Sequence, residues 1–160
     1  MTRVIAVANQ KGGVGKTITS LNVAACMAQR GRRTLLVDLD PQGHCGVGLG
    51  VDTEPLKHTT YELLVDKDAS VDVLAIKLPW PELAALSFVP SNLRLALAER
   101  ELSTRSTLGN LALATRLRDI RASYDEIILD CPPSLSKLTL NAFLASDMVL
   151  IPVAVGFFSI

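Results

Sequence analysis

Aromatic side chains are scarce in this sequence: one Trp, two Tyr and four Phe, 4% of the chain. A core with so few rings has to be filled by Leu, Val, Ile and Ala, a composition that suits helices packed on a parallel sheet. Cysteine is scarce too. Cys26, Cys45 and Cys131 form an odd, scattered set with no C-x-x-C spacing, which argues against a disulfide framework or a zinc site. They read as ordinary reduced thiols. An excess of one charge is missing, since 16 Lys and Arg balance 16 Asp and Glu, so bulk charge selects no polyanionic partner. Long apolar runs are missing as well. Val4 to Ala8 is too short for the apolar segment of a secretion signal, and Met148 to Phe158 is broken by Pro152 and Gly156. Neither approaches the ~20 residues that cross a bilayer. The expectation is a cytoplasmic protein with no membrane partner. Its 160 residues, 49% hydrophobic, suffice for one domain, 1–160, with a substantial core.

What is present is an alternation of apolar runs with helical patterns. "RVIAVAN" (3–9), "RTLLVDLD" (33–40), "DEIILDCPP" (125–133) and "DMVLIPV" (147–153) read as buried strands, and "LSFVPS" (86–91) as a weaker one. Residues 16–30 carry Ile18, Leu21, Ala25 and Ala28 at helical spacing, with Gly31 as the stop. Helices are also expected at 60–66, 70–78, 93–102, 108–122 and 138–145, whereas the glycine-rich stretch 41–53 reads as a long loop. Strands separated by helices predict an α/β fold, a doubly wound, mostly parallel sheet with helices on both faces. Ligands in such sheets sit beyond the carboxyl ends of the strands, where Asn9, Asp40 and Asp130 all fall.

The strongest local signal is "ANQKGGVGKTITS" (8–20). A phosphate-binding loop reads G-x-x-x-x-G-K-[ST]. Here Gly15, Lys16 and Thr17 fit, but Gln10 stands where the first glycine belongs and Lys11 lies inside the loop. Gly12, Gly13 and Gly15 let successive backbone N–H groups turn inward toward phosphate oxygens, beside the positive end of a helix. Lys16 is expected on the β- and γ-phosphates and the Thr17 hydroxyl on Mg2+. Asp130 has the position of the strand-end acid that holds Mg2+ directly or through water. Asp38 and Asp40 are read as facing opposite sides of the sheet unless the strand turns first. Asp38 is expected nearer the metal, and Asp40, before Pro41, is expected to orient an attacking water. His44 reads as a solvated loop residue. Arg94, Arg100, Arg105, Arg116, Arg118 and Arg121 are interleaved with Glu99, Glu101 and Asp119, a spacing that fits a DNA-facing patch and a solvated helix face alike.

"NQKGGVGKT", then "LLVDLDPQG", "IILDCPP" and "IPV", in this order along the whole chain, resemble the ParA/Soj family of deviant Walker A partition ATPases. The resemblance implies a P-loop NTPase fold with ATP and Mg2+ as cofactors. It implies nucleotide contacts from Gly12, Gly13, Val14, Gly15, Lys16, Thr17 and Ile18, metal contacts from Thr17, Asp38 and Asp130, and catalytic roles for Lys11, Lys16 and Asp40. Lys11 matches the signature lysine that reaches across an ATP-sandwiched homodimer to the partner's nucleotide, so Gln10 belongs to the pattern. The family binds DNA nonspecifically as the ATP dimer, is stimulated by a ParB-like partner and associates with the nucleoid. MinD-like division regulators share the loop but usually carry glycine before the signature lysine and lack "DPQG". Such a regulator, or a nucleotide-binding remnant with little turnover, is the alternative reading. Family members continue beyond "IPV" with adenine contacts, dimer surface and DNA-binding basic residues. The chain is therefore expected to lack the family's C-terminal part, to bind ATP weakly and to hydrolyse little.

Overall fold

The apolar runs of the sequence meet in one sheet. The computed structural model describes residues 2–155, apart from the side chains of 106–108, and so leaves the tail "GFFSI" (156–160) outside. Strands β1 (Arg3–Val7), β2 (Thr34–Asp38), β3 (Ile76–Lys77), β4 (Leu86–Val89), β5 (Glu126–Asp130) and β6 (Met148–Leu150) lie in the order β3-β4-β2-β5-β1-β6. Every pairing is parallel except that of β3 with β4. Parallel strands need crossover connections, and helices α1 (Lys16–Gln29), α2 (His44–Gly48), α3 (Thr60–Val65), α4 (Val71–Leu74), α5 (Leu95–Thr104), α6 (Ala112–Ile120) and α7 (Lys137–Ala145) occupy them.

The strand period of two sorts the sheet residues between two cores. Val4, Ala6, Leu35, Val37, Ile127 and Leu129 face α3 to α7. Val7, Leu36, Phe88 and Ile128 face α1 and α2. On the first face α6 buries Leu113, Leu117 and Ile120, a spacing of four and three that keeps one stripe on the sheet. Each of these side chains contributes on the order of 1.5–3 kcal/mol by leaving water.

Four expectations need correction. Residues 41–53 are not all loop: α2 forms there, because Gly43 turns the chain in the left-handed region at its N-cap (φ 65°). Residues 70–78 are not one helix. Ser70 caps the short α4, and the chain then extends into β3, whose pairing with β4 overrides the weak helical pattern. Helix α1 buries Lys16, Ser20, Ala24 and Ala28 rather than the stripe marked by Ile18, and Ile18 is 60% exposed. Small residues on the sheet side let the helix lie close to the strands. Finally, Asp38 and Asp40 are not on opposite sides. An interval of two returns a side chain to the same face, and both acids turn toward the α1 side, where Asp38 accepts from Cys45 of α2 and Asp40 lines a cleft with the glycine loop.

Strand β6 is shorter than the run 147–153 that announces it, and it forms one sheet edge. Met148, Val149, Ile151 and Val153 are all exposed there, a contiguous apolar margin. Among the described residues, no helix is long and apolar enough to cross a membrane.

Candidate nucleotide site

The site is built where β1, β2 and β5 end side by side. Register pairs Val7 with Asp130 and Asp38 with Asp130, so the exit of β1 and two carboxylates arrive at one level. The chain leaves β1 through Asn9, whose Oδ1 accepts from Lys11 N at 2.9 Å and whose Nδ2 donates to Pro152 O at 2.9 Å. That pair of bonds ties the start of the loop to the segment after β6. Gly13 and Gly15 have φ of 73° and 87°, and Gly15 is the N-cap of α1. In that region a Cβ costs roughly 1–2 kcal/mol, so glycine is what allows the loop to turn into the helix.

Lys16 opens α1 and is buried, its Nζ donating to the carbonyl of Lys11 at 3.2 Å. The ammonium is thus held over the loop. Thr17 Oγ1 donates to Asp130 Oδ2 at 2.8 Å, and Ser20 Oγ donates to Asp130 Oδ1 at 2.7 Å. Cys45 Sγ donates to Asp130 Oδ2 at 3.4 Å. Asp38 accepts from Asp40 N at 2.9 Å and from Cys45 N at 3.2 Å. Burial pushes the Asp38 carboxyl well above the usual carboxylate range, and the Asp130 charge beside it adds to the effect. Burial also raises Asp130, opposed by the hydrogen bonds from Ser20 and Thr17. The Asp130 charge therefore disfavours ionised Asp38 on the adjacent buried strand, and a dication between the two carboxyls would relieve that cost.

Asp40 lies two residues beyond the end of β2 and opens the turn through Pro41, its carbonyl accepting from Gly43 N at 3.0 Å. Its Oδ1 accepts from Gln42 N at 3.0 Å, and its backbone carbonyl accepts from Ser91 Oγ, beyond β4, at 2.7 Å. A cleft of about 440 Å3 runs between Gly12, Gly13, Lys16 and Thr17 on one wall and Asp40 and His44 on the other. His44 is exposed at its mouth, as is Ile18, and Val14 is buried under the loop. Lys11 is exposed and lies outside the cleft lining. A second cavity of about 320 Å3, lined by Asn9, Gln10, Pro132, Leu135, Phe143 and Ile151, lies on the other side of the loop. Apolar and without a cation in its lining, it does not suit phosphate.

The structure thus brings together Lys16, Thr17, Asp38, Asp40 and Asp130, and sets Lys11 at the rim. Three participants carry no sequence signal of their own. Ser20 needs the helix phase that puts it below Lys16, Ser91 needs the packing of β4, and Cys45 enters only because α2 starts at Gly43. The reading of the cysteines as having no metal-ligand arrangement holds for their spacing but not in space: Cys45 joins Asp38 and Asp130, with their ligand atoms within 4.8 Å of one another. Of the arginines, Arg105, Arg116 and Arg118 line one cleft together with Lys67, while two others are engaged in ion pairs elsewhere. Arg94 pairs with Glu62 at 2.9 Å and Arg121 with Asp147 at 3.0 Å, on separate parts of the surface.

Gly43 fixes both Asp40 and Cys45. A Cβ there meets the Ser91 carbonyl oxygen at 2.9 Å, in addition to the left-handed backbone. Gly43→Ala is therefore expected to cost roughly 2 kcal/mol or more in stability. The check is the urea midpoint, which should fall with no change in slope. A midpoint equal to that of the parent chain would refute this account of the turn.

A mostly parallel sheet with a glycine loop between its first strand and a helix, a lysine over that loop and acids at neighbouring strand ends define a P-loop NTPase fold. The chain belongs to the family described as AAA domain, whose model matches residues 2–160. It is 42% identical over 160 residues to the sporulation initiation inhibitor protein Soj of Bacillus subtilis, covering 100% of this chain and 61% of Soj. It is 46% identical over 158 residues to the chromosome partitioning protein ParA of Myxococcus xanthus, covering 99% of this chain and 54% of ParA. The crystal structure of cobyrinic acid a,c-diamide synthase from Mycobacterium smegmatis, with bound ATP analog and magnesium, superposes with a TM-score of 0.88 at 40% identity. That superposition covers 96% of this chain and 60% of the synthase. The chain therefore spans roughly three-fifths of the length of these relatives.

Proposed function

We propose that this chain binds ATP with Mg2+ in its P-loop cleft and serves a ParA/Soj-type partition ATPase that hydrolyses ATP when two copies meet. The observation that carries the reading is the hydrogen bond from Thr17 to Asp130. It couples the hydroxyl at the end of the phosphate loop to an acid beside Asp38, the combination that a phosphate-bound metal requires. The residues fit such a group, since both carboxyls are buried and pushed toward their neutral forms in its absence. Thr17, Asp38 and Asp130 would hold Mg2+, which when bound neutralises charge on the phosphoryl oxygens. Lys16 and the backbone from Gly12 to Ile18 would hold the phosphates.

Asp40 then serves the attacking water, oriented from the opposite wall of the cleft by its bonds to Gln42 and Ser91. The exposure of Lys11 supports a role in trans. A cation delivered by a second copy stabilises the transferred charge only in the dimer, which ties turnover to association. Stimulation by a ParB-like partner, nonspecific association with DNA of the nucleoid and a cytoplasmic location rest on kinship with Soj and ParA.

Two substitutions test the division of labour, read by equilibrium binding of a fluorescent ATP analogue and by phosphate release. Lys11→Ala is expected to retain nucleotide and lose turnover. Asp40→Ala is expected to retain nucleotide and hydrolyse about a hundredfold more slowly, the lower end of what a positioned acid–base group contributes. Normal turnover in Asp40→Ala would move the water-orienting role elsewhere. Loss of nucleotide affinity in Lys11→Ala equal to that in Lys16→Ala would make Lys11 a ligand of its own subunit's nucleotide.

A further inference from the structure

We propose that Asp38, Cys45 and Asp130 form a binding site for a thiophilic divalent cation of the zinc and cadmium class, open to the chain without nucleotide. One sulfur and two carboxylate oxygens lie within 4.8 Å of one another, and all three residues are buried. Ligand atoms around one zinc-like ion stand roughly 3–4 Å apart, so the set needs only small adjustments to close on a single ion.

The three donors come from different elements, and each is fixed independently. Asp38 and Asp130 are register partners on β2 and β5, and both point to the α1 face. Cys45 is the second residue of α2, and its own N–H donates to Asp38 Oδ2 while its Sγ lies 3.4 Å from Asp130 Oδ2. The thiol is thus held against both acids on the face of the sheet that α1 also covers. Thr17 Oγ1 donates to the same Asp130 oxygen and offers a further ligand atom.

Mg2+ selects oxygen donors and gains nothing from sulfur. A borderline or soft dication gains a metal–thiolate bond, which changes the preference of the pair of acids. On binding, the Sγ–H proton passes to solvent as the sulfur–metal bond forms, and the Cys45–Asp130 hydrogen bond is replaced by shared ligation. A cation held this way occupies the two acids assigned above to Mg2+, so the two ions compete. That competition rests on the proposed function, whereas cation binding itself does not.

The test titrates the nucleotide-free chain with Cd2+ and follows the ultraviolet thiolate-to-cadmium charge-transfer band. A Cys26→Ala/Cys131→Ala background leaves Cys45 as the one thiol. The expected result is a saturable band at one equivalent, absent in Cys45→Ala and shifted at least about tenfold to higher Cd2+ by Asp130→Asn or Asp38→Asn. Circular dichroism on every variant establishes that the fold is kept, and the two acid variants give independent readings if one of them does not fold. No band in the folded background protein, a band that survives Cys45→Ala, or a titration unmoved by either acid variant overturns the proposal. Because no nucleotide is present, that failure would leave the ATPase reading standing.

Discussion

Lys16→Ala is expected to lower ATP affinity by roughly a hundredfold. A hydrogen bond between charged groups contributes about 1.5–3 kcal/mol, and each 1.4 kcal/mol is a factor of ten. The expected loss lies at the upper end of that range because of where the ammonium is held. Lys16 is only 7% exposed and its Nζ is turned back over the loop onto the Lys11 carbonyl, so little solvent screens it from an incoming anion. The remaining loop would still offer backbone N–H groups, which is why the loss is finite. Isothermal titration with ATP and Mg2+ measures it directly. The same titration on Lys16→Arg separates charge from fit, since a planar guanidinium cannot replace a compact ammonium within the turn. Near-parental affinity in Lys16→Ala would remove this lysine from the phosphate site.

Asp130→Asn is expected to act in two directions at once. It should stabilise the nucleotide-free chain while removing the Mg2+ dependence of nucleotide binding. Burial raises the Asp130 carboxyl, so its charged form weakens the fold at neutral pH. The amide is neutral, and its partners Thr17 and Ser20 are hydroxyls that can accept from an NH2 as readily as they donate to an oxygen. A gain on the order of 1 kcal/mol corresponds to about 2–4 °C in Tm at this chain length. The pH dependence follows from the sign of the shift. Above the raised folded-state value the carboxyl is ionised and the penalty is complete. As pH falls through that value toward the ordinary carboxylate range, the native state takes up a proton that the unfolded state does not, and the parent chain gains stability. The gap between parent and variant should therefore shrink as pH falls, in melts taken from neutral pH downward without nucleotide. A lower Tm for the variant at neutral pH, or a gap that widens on acidification, would contradict this account.

Asp125, immediately before the start of the same strand, shows the opposite behaviour. Hydrogen bonds from Arg33 hold its carboxyl down to about 2. Its contribution is present above the ordinary carboxylate range and fades as pH drops toward that lower value. The two ends of β5 thus respond to acid in contrary senses.

The parts of the site legible in the sequence were those where one short stretch carries the whole physical reason. Gly15, Lys16 and Thr17 announce the loop because a left-handed turn into a helix demands glycine at that place. "IILD" announces β5 because four buried residues in a row end on an acid. Strands β1, β2 and β5 were readable from the same continuous burial. What could not be read depends on partners remote in sequence. Helix α2 is masked by glycines that give no apolar period, and β3 exists because β4 offers an antiparallel edge. The approach of Cys45 to Asp130 is set by the Gly43 turn against Ser91, which no local pattern encodes. The buried face of α1 carries no apolar signal because its stripe is lysine, serine and alanine, whereas Ile18 faces outward.

The hydrogen bonds that hold the site differ in how far along the chain they reach. Asn9 holds Lys11 across two residues, and Lys16 reaches the Lys11 carbonyl across five. Ser91 holds Asp40 across 51 residues, and Asp130 meets Thr17 across 113. The turn of the phosphate loop can therefore form once β1 and α1 are in place, while its Asn9 anchor to Pro152 and the acidic wall wait for β4, β5 and β6 to dock, at the cost of closing long loops. Completion of the site is in this sense a late property of the folding chain. Hydrogen exchange at Cys45 and Asp40 follows exposure of the acidic wall around Asp38, and exchange within the glycine loop follows the loop together with its Asn9 anchor to Pro152.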